Sequence, residues 1–193
     1  MIWSMSRPEL TPVSYVVLGL VARDGPSTPY ALKSAVGRGI AHFWQFPHSQ
    51  LYAEPERLAR MGLLAEEREQ TGRRRRSYRI SEDGRAALAA WLAEPTDEPP
   101  QFRSLGLLKL FFSQHAGPRD VAELARAQVE LHRQHTEVIA GIVDRLQARG
   151  DRPGQLAVAE LMGDAFRVMA GHWERIELAA REPDDQAATA RAR

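Results

Sequence analysis

The sequence predicts a mainly α-helical chain with one small β-hairpin wing: an N-terminal winged helix-turn-helix, then a C-terminal antiparallel helical dimerisation domain. Three observations predict it. Two Thr-Pro helix starts, at Thr11-Pro12 and Thr28-Pro29, precede a third amphipathic stretch at 49–61. Two short extended segments around a glycine turn follow, and then a Ser-capped helix from Ser81. Beyond the segment 95–100, apolar residues recur by threes, fours and sevens along two long stretches.

Each element has a local cause. Thr11 supplies an N-cap and Pro12 sits at the first helical position, where its missing N–H costs nothing. Val13, Val16, Val17, Leu20 and Val21 then repeat at helical spacing up to the turn at Asp24-Gly25-Pro26. Thr28-Pro29 opens a shorter helix with Tyr30, Leu32, Lys33 and Val36, and an aromatic loop spans 42–47. The 49–61 helix places Leu51, Leu58 and Met61 on one side and Arg57 and Arg60 on the exposed side, with Gly62 as its stop. Pro55 inside it removes one backbone bond and crowds Leu51, so this helix either kinks there or starts later. Segments 63–69 and 77–80 read as strands around the turn 70–73. Ser81 caps a fourth helix, with Glu82 and Asp83 in its first turn and Leu88, Trp91 and Leu92 as its apolar stripe.

After the linker, Leu105, Leu107, Leu108, Leu110, Phe111 and Phe112 cover most of a helix circumference, which predicts burial on nearly all sides. Segment 120–149 carries no proline and reaches roughly 45 Å as a helix. Val121, Leu124, Leu131, Val138, Ile142 and Leu146 form its seam, and Leu161, Phe166, Met169, Trp173 and Ile176 that of a returning helix. Two helices cannot bury a full seam alone. A symmetric homodimer is the simplest completion, with Leu124, Leu131, Val138, Ile142, Phe166 and Trp173 at the contact. From 182 onward too little apolar matter remains to pack, which predicts a flexible tail.

Composition narrows the function. The 193 residues are 44% hydrophobic and 26% charged, too apolar for a disordered chain. With no cysteine, disulfides, thiolate zinc sites, iron–sulfur clusters and cysteine nucleophiles are excluded. The longest apolar run, 16–22, is less than half a membrane helix, and the first residues lack a signal-peptide pattern. Both point to a cytoplasmic protein without a membrane partner. No P-loop, Gly-x-Gly-x-x-Gly or Gly-x-Ser-x-Gly occurs, and no catalytic constellation is found, so no enzyme and no cofactor are expected.

The strongest chemical signal is at the hairpin tip. From 68 to 79 the charged residues are six arginines against Glu69 alone, with Arg73, Arg74, Arg75 and Arg76 consecutive. A polyanion neutralises such a run and releases counterions. An isolated basic run is more often a solvated surface, but at a wing the fold and the charge agree on DNA. The third helix is the reading element. Ser49, Gln50 and Tyr52 fall in its first turn and Arg57 one turn on, where side chains reach base edges and phosphates. Tyr52 lies near the apolar side, so it faces either DNA or the core. The formal net charge of +1 is no objection, since acidic residues elsewhere offset a concentrated tip.

His132 and His135, three apart on one helical face, with His172 on the returning helix, raise a rival: a helical bundle handling a metal or ligand. With no Glu-x-x-His pair and no cysteine, seam or surface histidines and no metal are the stronger reading. Trp44 and Trp91 are candidates to line a cavity for a small aromatic or lipophilic effector, although a lone tryptophan more often plugs a core or an interface. A winged-helix adaptor for protein contacts is a further alternative.

Taken together, these residues resemble the PadR family of bacterial transcriptional regulators, in the branch with a long helical C-terminal domain shared with the AphA-like activators. The resemblance rests on Leu10-Thr-Pro-Val-Ser-Tyr-Val-Val-Leu-Gly-Leu20, Pro29-Tyr-Ala-Leu-Lys33, His48-Ser-Gln-Leu-Tyr52 and Leu58-Ala-Arg-Met-Gly-Leu-Leu64. It continues through Arg76-Ser-Tyr-Arg-Ile-Ser-Glu-Asp-Gly-Arg85, Trp91-Leu92 and Leu107-Leu-Lys-Leu-Phe-Phe112. It implies a sequence-specific, ligand-responsive repressor acting as a homodimer on a palindromic double-stranded operator. The third helix would enter the major groove and the wing would approach the flanking backbone or minor groove. Pro55 departs from the family pattern, which often has an aliphatic residue there. The implied organisation is a DNA-binding domain at 1–96, a linker at 97–101, a dimerisation domain at 102–181 and a tail at 182–193.

Overall fold

The computed structural model describes residues 10–44, 47–68 and 76–191, leaving aside the side chains of His48 and of 182–191. The chain separates into two compact units, Met1–Glu98 and Pro99–Arg193.

The first unit begins with α1 (Pro12–Asp24), which starts on a reciprocal cap. Thr11 Oγ1 accepts from the Ser14 N–H at 3.4 Å, and Ser14 Oγ accepts from the Thr11 N–H at 2.9 Å. Gly25, at φ 79°, ends it in a backbone conformation that a side chain would strain. Thr28 caps α2 (Pro29–Gly37), and a short 3₁₀ turn, Ile40–His42, leads into the predicted aromatic loop. Next comes α3 (His48–Arg60), a single helix running through Pro55. It therefore does not start after the proline. Pro55 is fully buried beside Leu51 and Leu58, so packing compensates for the missing backbone bond.

Strands β1 (Leu64–Arg68) and β2 (Arg76–Ile80) pair antiparallel, with Leu64 opposite Ile80 and Arg68 opposite Arg76. The turn between them, 69–75, lies outside the described residues. Ser27 pairs with Tyr78 through two backbone bonds of 2.9 and 3.0 Å, tying the wing to the loop before α2. Helix α4 (Glu82–Ala93) starts on Ser81, whose Oγ accepts from the Gly84 N–H and donates to the Gly62 carbonyl. Only glycine fits at 84: a Cβ there would stand 2.1 Å from the Leu63 carbonyl oxygen. Val17, Leu18, Leu32, Leu51, Leu58, Tyr78 and Ile80 close one core beneath these elements. The α4 stripe is only partly used. Leu88 packs on the core and Trp91 stacks on Tyr15, but Leu92 is exposed.

The second unit contains α5 (Leu105–Phe111), a 3₁₀ turn, α6 (Pro118–Arg149) and α7 (Pro153–Arg191), the last two joined at left-handed Gly150. Arg133 pairs with Glu174, while Ile139 lies against Gly163, so α6 and α7 run antiparallel. Their seam keeps the predicted Trp173, with Leu124 and Ile176 packed beside it, but otherwise differs from the predicted one. Ala125, Val129 and Ile139 are buried on α6, and Ala159, Gly163, Ala170 and Trp173 on α7. Small side chains dominate this seam, which lets the backbones approach and leaves the larger apolar residues one position aside. Leu131, Val138 and Leu161 are accordingly exposed.

The predicted all-round burial of α5 is also overturned within one chain. Gly106 is buried under Gln128, but Leu105, Leu107, Leu108, Phe111 and Phe112 are exposed. The composition was sufficient for burial, and Leu110 does pack on the cluster of Ala125, Val129 and Trp173, but the described residues leave most other apolar side chains of this helix open. Helix α7 carries on past Glu182 to Arg191, into the stretch predicted as a flexible tail. Alanines at 187, 188 and 190 have the helix propensity to continue it.

Candidate nucleic-acid interface

Helix α3 turns two different faces outward and inward. Leu51, Pro55 and Leu58 are buried, while Ser49, Gln50, Tyr52, Ala53, Glu56 and Arg60 are exposed. Tyr52, for which sequence left two orientations open, is 47% exposed and so points away from the core. Three of the predicted reading residues, Ser49, Gln50 and Tyr52, thus share the free side of one helix. Its first turn has no side-chain cap, since Pro47 precedes it. The Gln50 N–H donates to the Pro47 carbonyl at 3.1 Å, which leaves the N–H groups ahead of it to an acceptor.

Arg57 has a different place from the one predicted. Its Nε donates to Glu54 Oε2 at 2.9 Å, and its Nη2 donates to Glu54 Oε1 at 2.7 Å. Nη2 also reaches Ser14 Oγ at 2.9 Å, and Nη1 reaches Met61 Sδ. The Glu54 hydrogen bonds hold the guanidinium above even its ordinary pKa, against the opposing effect of partial burial. Arg57 therefore bonds α3 to α1 and is not a free cation on the reading face. Sequence reasoning missed Ser14 and Glu54 altogether. The available signal was a polar residue in the apolar α1 pattern and the i,i+3 spacing of Glu54 and Arg57.

The wing combines two kinds of arginine. Glu66 on β1 takes Arg68 at 2.7 Å and Arg76 at 3.5 Å, and Glu67 takes Arg79 at 2.6 Å. The hydrogen bond from Arg68 holds the Glu66 carboxyl below its usual range, with the charges of Arg68 and Arg76 adding to the effect. Arg76, predicted as a free contact, thus already has an anionic neighbour, although such exposed pairs are weak and exchange readily. A charge count that begins at 68 leaves out both glutamates, which stand just before it on β1. Arg73, Arg74 and Arg75 lie outside the described residues.

The remaining candidates are dispersed. Trp91 stacks on Tyr15 with ring centres 4.5 Å apart and planes 8° from parallel, and Trp44 is exposed after the 3₁₀ turn. Among the described residues no ring contact joins the two tryptophans. His132 and His135 flank the Phe166 ring, and Arg175 lies 2.6 Å from His172 Nδ1. No group of three His, Asp or Glu side chains among the described residues is placed to hold a metal. Of the predicted dimer contacts, Trp173 is only 3% exposed because it packs on Ala125 and Val129 of its own chain, and Phe166 sits between its own histidines. Leu124 and Ile142 are half-buried, leaving Leu131 and Val138 exposed. No helix among the described residues is long and apolar enough to cross a membrane.

Comparison with known proteins agrees with this geometry. Residues 17–90 match the model of the "transcriptional regulator PadR-like family". The negative transcriptional regulator PadR of Bacillus subtilis (strain 168) is 23% identical over 141 residues, covering 72% of this chain and 77% of that protein. The crystal structure of Bacillus subtilis PadR with operator DNA superimposes with a TM-score of 0.78 at 20% identity, over 88% of this chain and 99% of that one. The same protein with p-coumaric acid gives 0.72 at 20% identity, over 87% and 98%. The virulence activator AphA of Vibrio cholerae gives 0.53 at 20% identity, over 90% and 99%.

Proposed function

We propose that this chain, whose residues 17–90 match the model of the PadR-like family of transcriptional regulators, is a ligand-responsive repressor that binds a palindromic operator as a homodimer. The observation that carries the reading is the free face of α3. Ser49, Gln50 and Tyr52 stand exposed at the start of a helix whose opposite side is locked into the winged-helix core. In this reading the first turn of α3 enters the major groove, where Gln50 has the geometry to pair with adenine. Arg73, Arg74 and Arg75 supply the wing's phosphate contacts, with Arg76 joining once it leaves Glu66.

The homodimer is supported by apolar surface that one chain leaves open. Phe102, Leu105, Leu108, Phe111 and Phe112 are exposed around α5, as are Leu131, Val138 and Leu161 on the long helices. A second copy would remove that apolar surface from water. A dimer also carries two reading helices, which fits a two-fold operator. The sign of regulation follows the Bacillus subtilis relative, which is described as a negative regulator. The effector follows that same relative, which has been crystallised with p-coumaric acid. A small aromatic acid is the chemistry we assign, with Trp91 as the first residue to examine. Such a regulator acts in the cytoplasm.

The deciding experiment is a titration of the purified chain against the DNA upstream of its own gene and against a scrambled duplex of equal length. Preferential binding of the upstream duplex, relieved by p-coumaric acid, supports the reading. Equal binding of both duplexes contradicts it.

A further inference from the structure

Resting on the DNA-reading role above, we propose that Glu54 is a positioning residue: it sets the rotation of α3 on α1 and so the direction in which Gln50 and its neighbours meet a base pair. Ser14 is fully buried in a helix whose other inward positions are apolar. Its Oγ donates to Glu54 Oε1 at 2.6 Å, and accepts from Arg57 Nη2 at 2.9 Å and from the Thr11 N–H at 2.9 Å. Arg57 grips the same carboxylate through two nitrogens. One hydroxyl of α1 therefore fastens a bidentate ion pair of α3, and the Glu54 side chain is only 12% exposed.

Two features make this clamp necessary. Contacts of Leu51, Pro55 and Leu58 hold α3 against the core, but apolar burial has no direction and resists rotation poorly. Charge-assisted hydrogen bonds are directional and fix it. Gln50, Glu54 and Arg57 stand at i, i+4 and i+7 on one edge of α3, so the clamp lies one turn behind Gln50. Pro55, with no N–H to offer the Leu51 carbonyl, leaves the helix one bond short between the reading turn and the anchored turn. The clamp also accounts for a carboxylate on a DNA-facing helix: Arg57 cancels a charge that phosphate would otherwise repel.

The test uses the full chain and a duplex selected from a random-sequence pool by the unmodified protein, beside a scrambled duplex. Glu54→Gln should lower affinity for the selected duplex about tenfold or more, the scale of one lost base contact. Affinity for the scrambled duplex should stay within about twofold, because non-specific phosphate contacts survive a rotated helix. Ser14→Ala removes only the hydroxyl, should shift the same ratio about threefold, and decides the matter if Glu54→Gln does not fold. A folded Ser14→Ala or Glu54→Gln protein with an unchanged ratio overturns the proposal. It is also overturned if Arg57→Leu weakens both duplexes equally and lowers the salt slope, since Arg57 would then be a phosphate contact. If the unmodified protein enriches no sequence, the reading role itself falls, and the clamp's purpose falls with it.

Discussion

The two units of this chain close their cores differently. In the first, Leu18, Leu51 and Leu58 have no exposed surface, and loops, wing and caps converge on them. In the second, the side chains that close the α6–α7 seam are mostly small, while Phe111 is 76% exposed and Leu161 67%. The first unit is complete in one copy of the chain. The second holds its own hairpin together with Trp173 and a stripe of alanines, and keeps its larger apolar residues for another surface. Reading DNA needs a rigid helix on a finished core, whereas pairing needs an unfinished face. In the proposed reading this chain divides the two tasks accordingly.

The sharpest way to break that contrast is to damage each side separately. Leu58→Ala opens a cavity in the finished core and should cost roughly 3–5 kcal/mol, seen as an earlier transition in denaturant melts. Phe111→Asp should leave the chain's own folding intact while weakening self-association about 30-fold or more, the scale of a hot-spot residue. Sedimentation at micromolar concentration would then reveal a 21.6 kDa species. Loss of helical signal in that variant would mean that Phe111 serves its own chain instead. Ser81→Ala removes the α4 cap and should cost about 1 kcal/mol, confined to the first unit.

A smaller effect concerns pH. Burial, and then repulsion from His135, holds His132 below the usual imidazole range, and His132 Nδ1 is buried with no hydrogen-bond partner. The unfolded chain therefore binds a proton more readily than the folded one. The stability from neutral His132 is present above pH ~6.5 and is lost as pH falls through the lower folded value. Thermal melts should show the second unit weakening below pH ~6.5, and His132→Phe should flatten that dependence.

Sequence made the winged helix legible because its signals are local. Thr11, Thr28 and Ser81 announce their helices, and Gly62 its stop, whatever lies elsewhere in the chain. The exposed set Ser49, Gln50 and Tyr52 was legible from position in a helix, although only packing could turn Tyr52 outward. Arg57 was misplaced because a charge at the edge of an amphipathic helix looks solvated until its partner, Ser14, arrives from another helix 43 residues away. The α6–α7 seam was misplaced for a related reason. Periodicity weights large apolar residues, so Leu124, Leu131 and Val138 outvoted Ala125, Val129 and Ile139, each one or two positions away. Leu124 still packs on the cluster around Trp173, but Leu131 and Val138 mark a face turned away from the chain's own partner helix.

In the proposed reading the first unit reads DNA with α3 while the wing tip neutralises phosphate. The most direct measurement is the salt dependence of binding to the selected duplex, for the unmodified chain and for Arg73→Ala/Arg74→Ala/Arg75→Ala. Each lost phosphate contact lowers the slope of log K against log salt by about 0.9. Across two protomers the triple variant should therefore lower it by up to about 5, while the preferred sequence stays the same. An unchanged slope, with affinity intact, would contradict the claim and remove the wing from the interface.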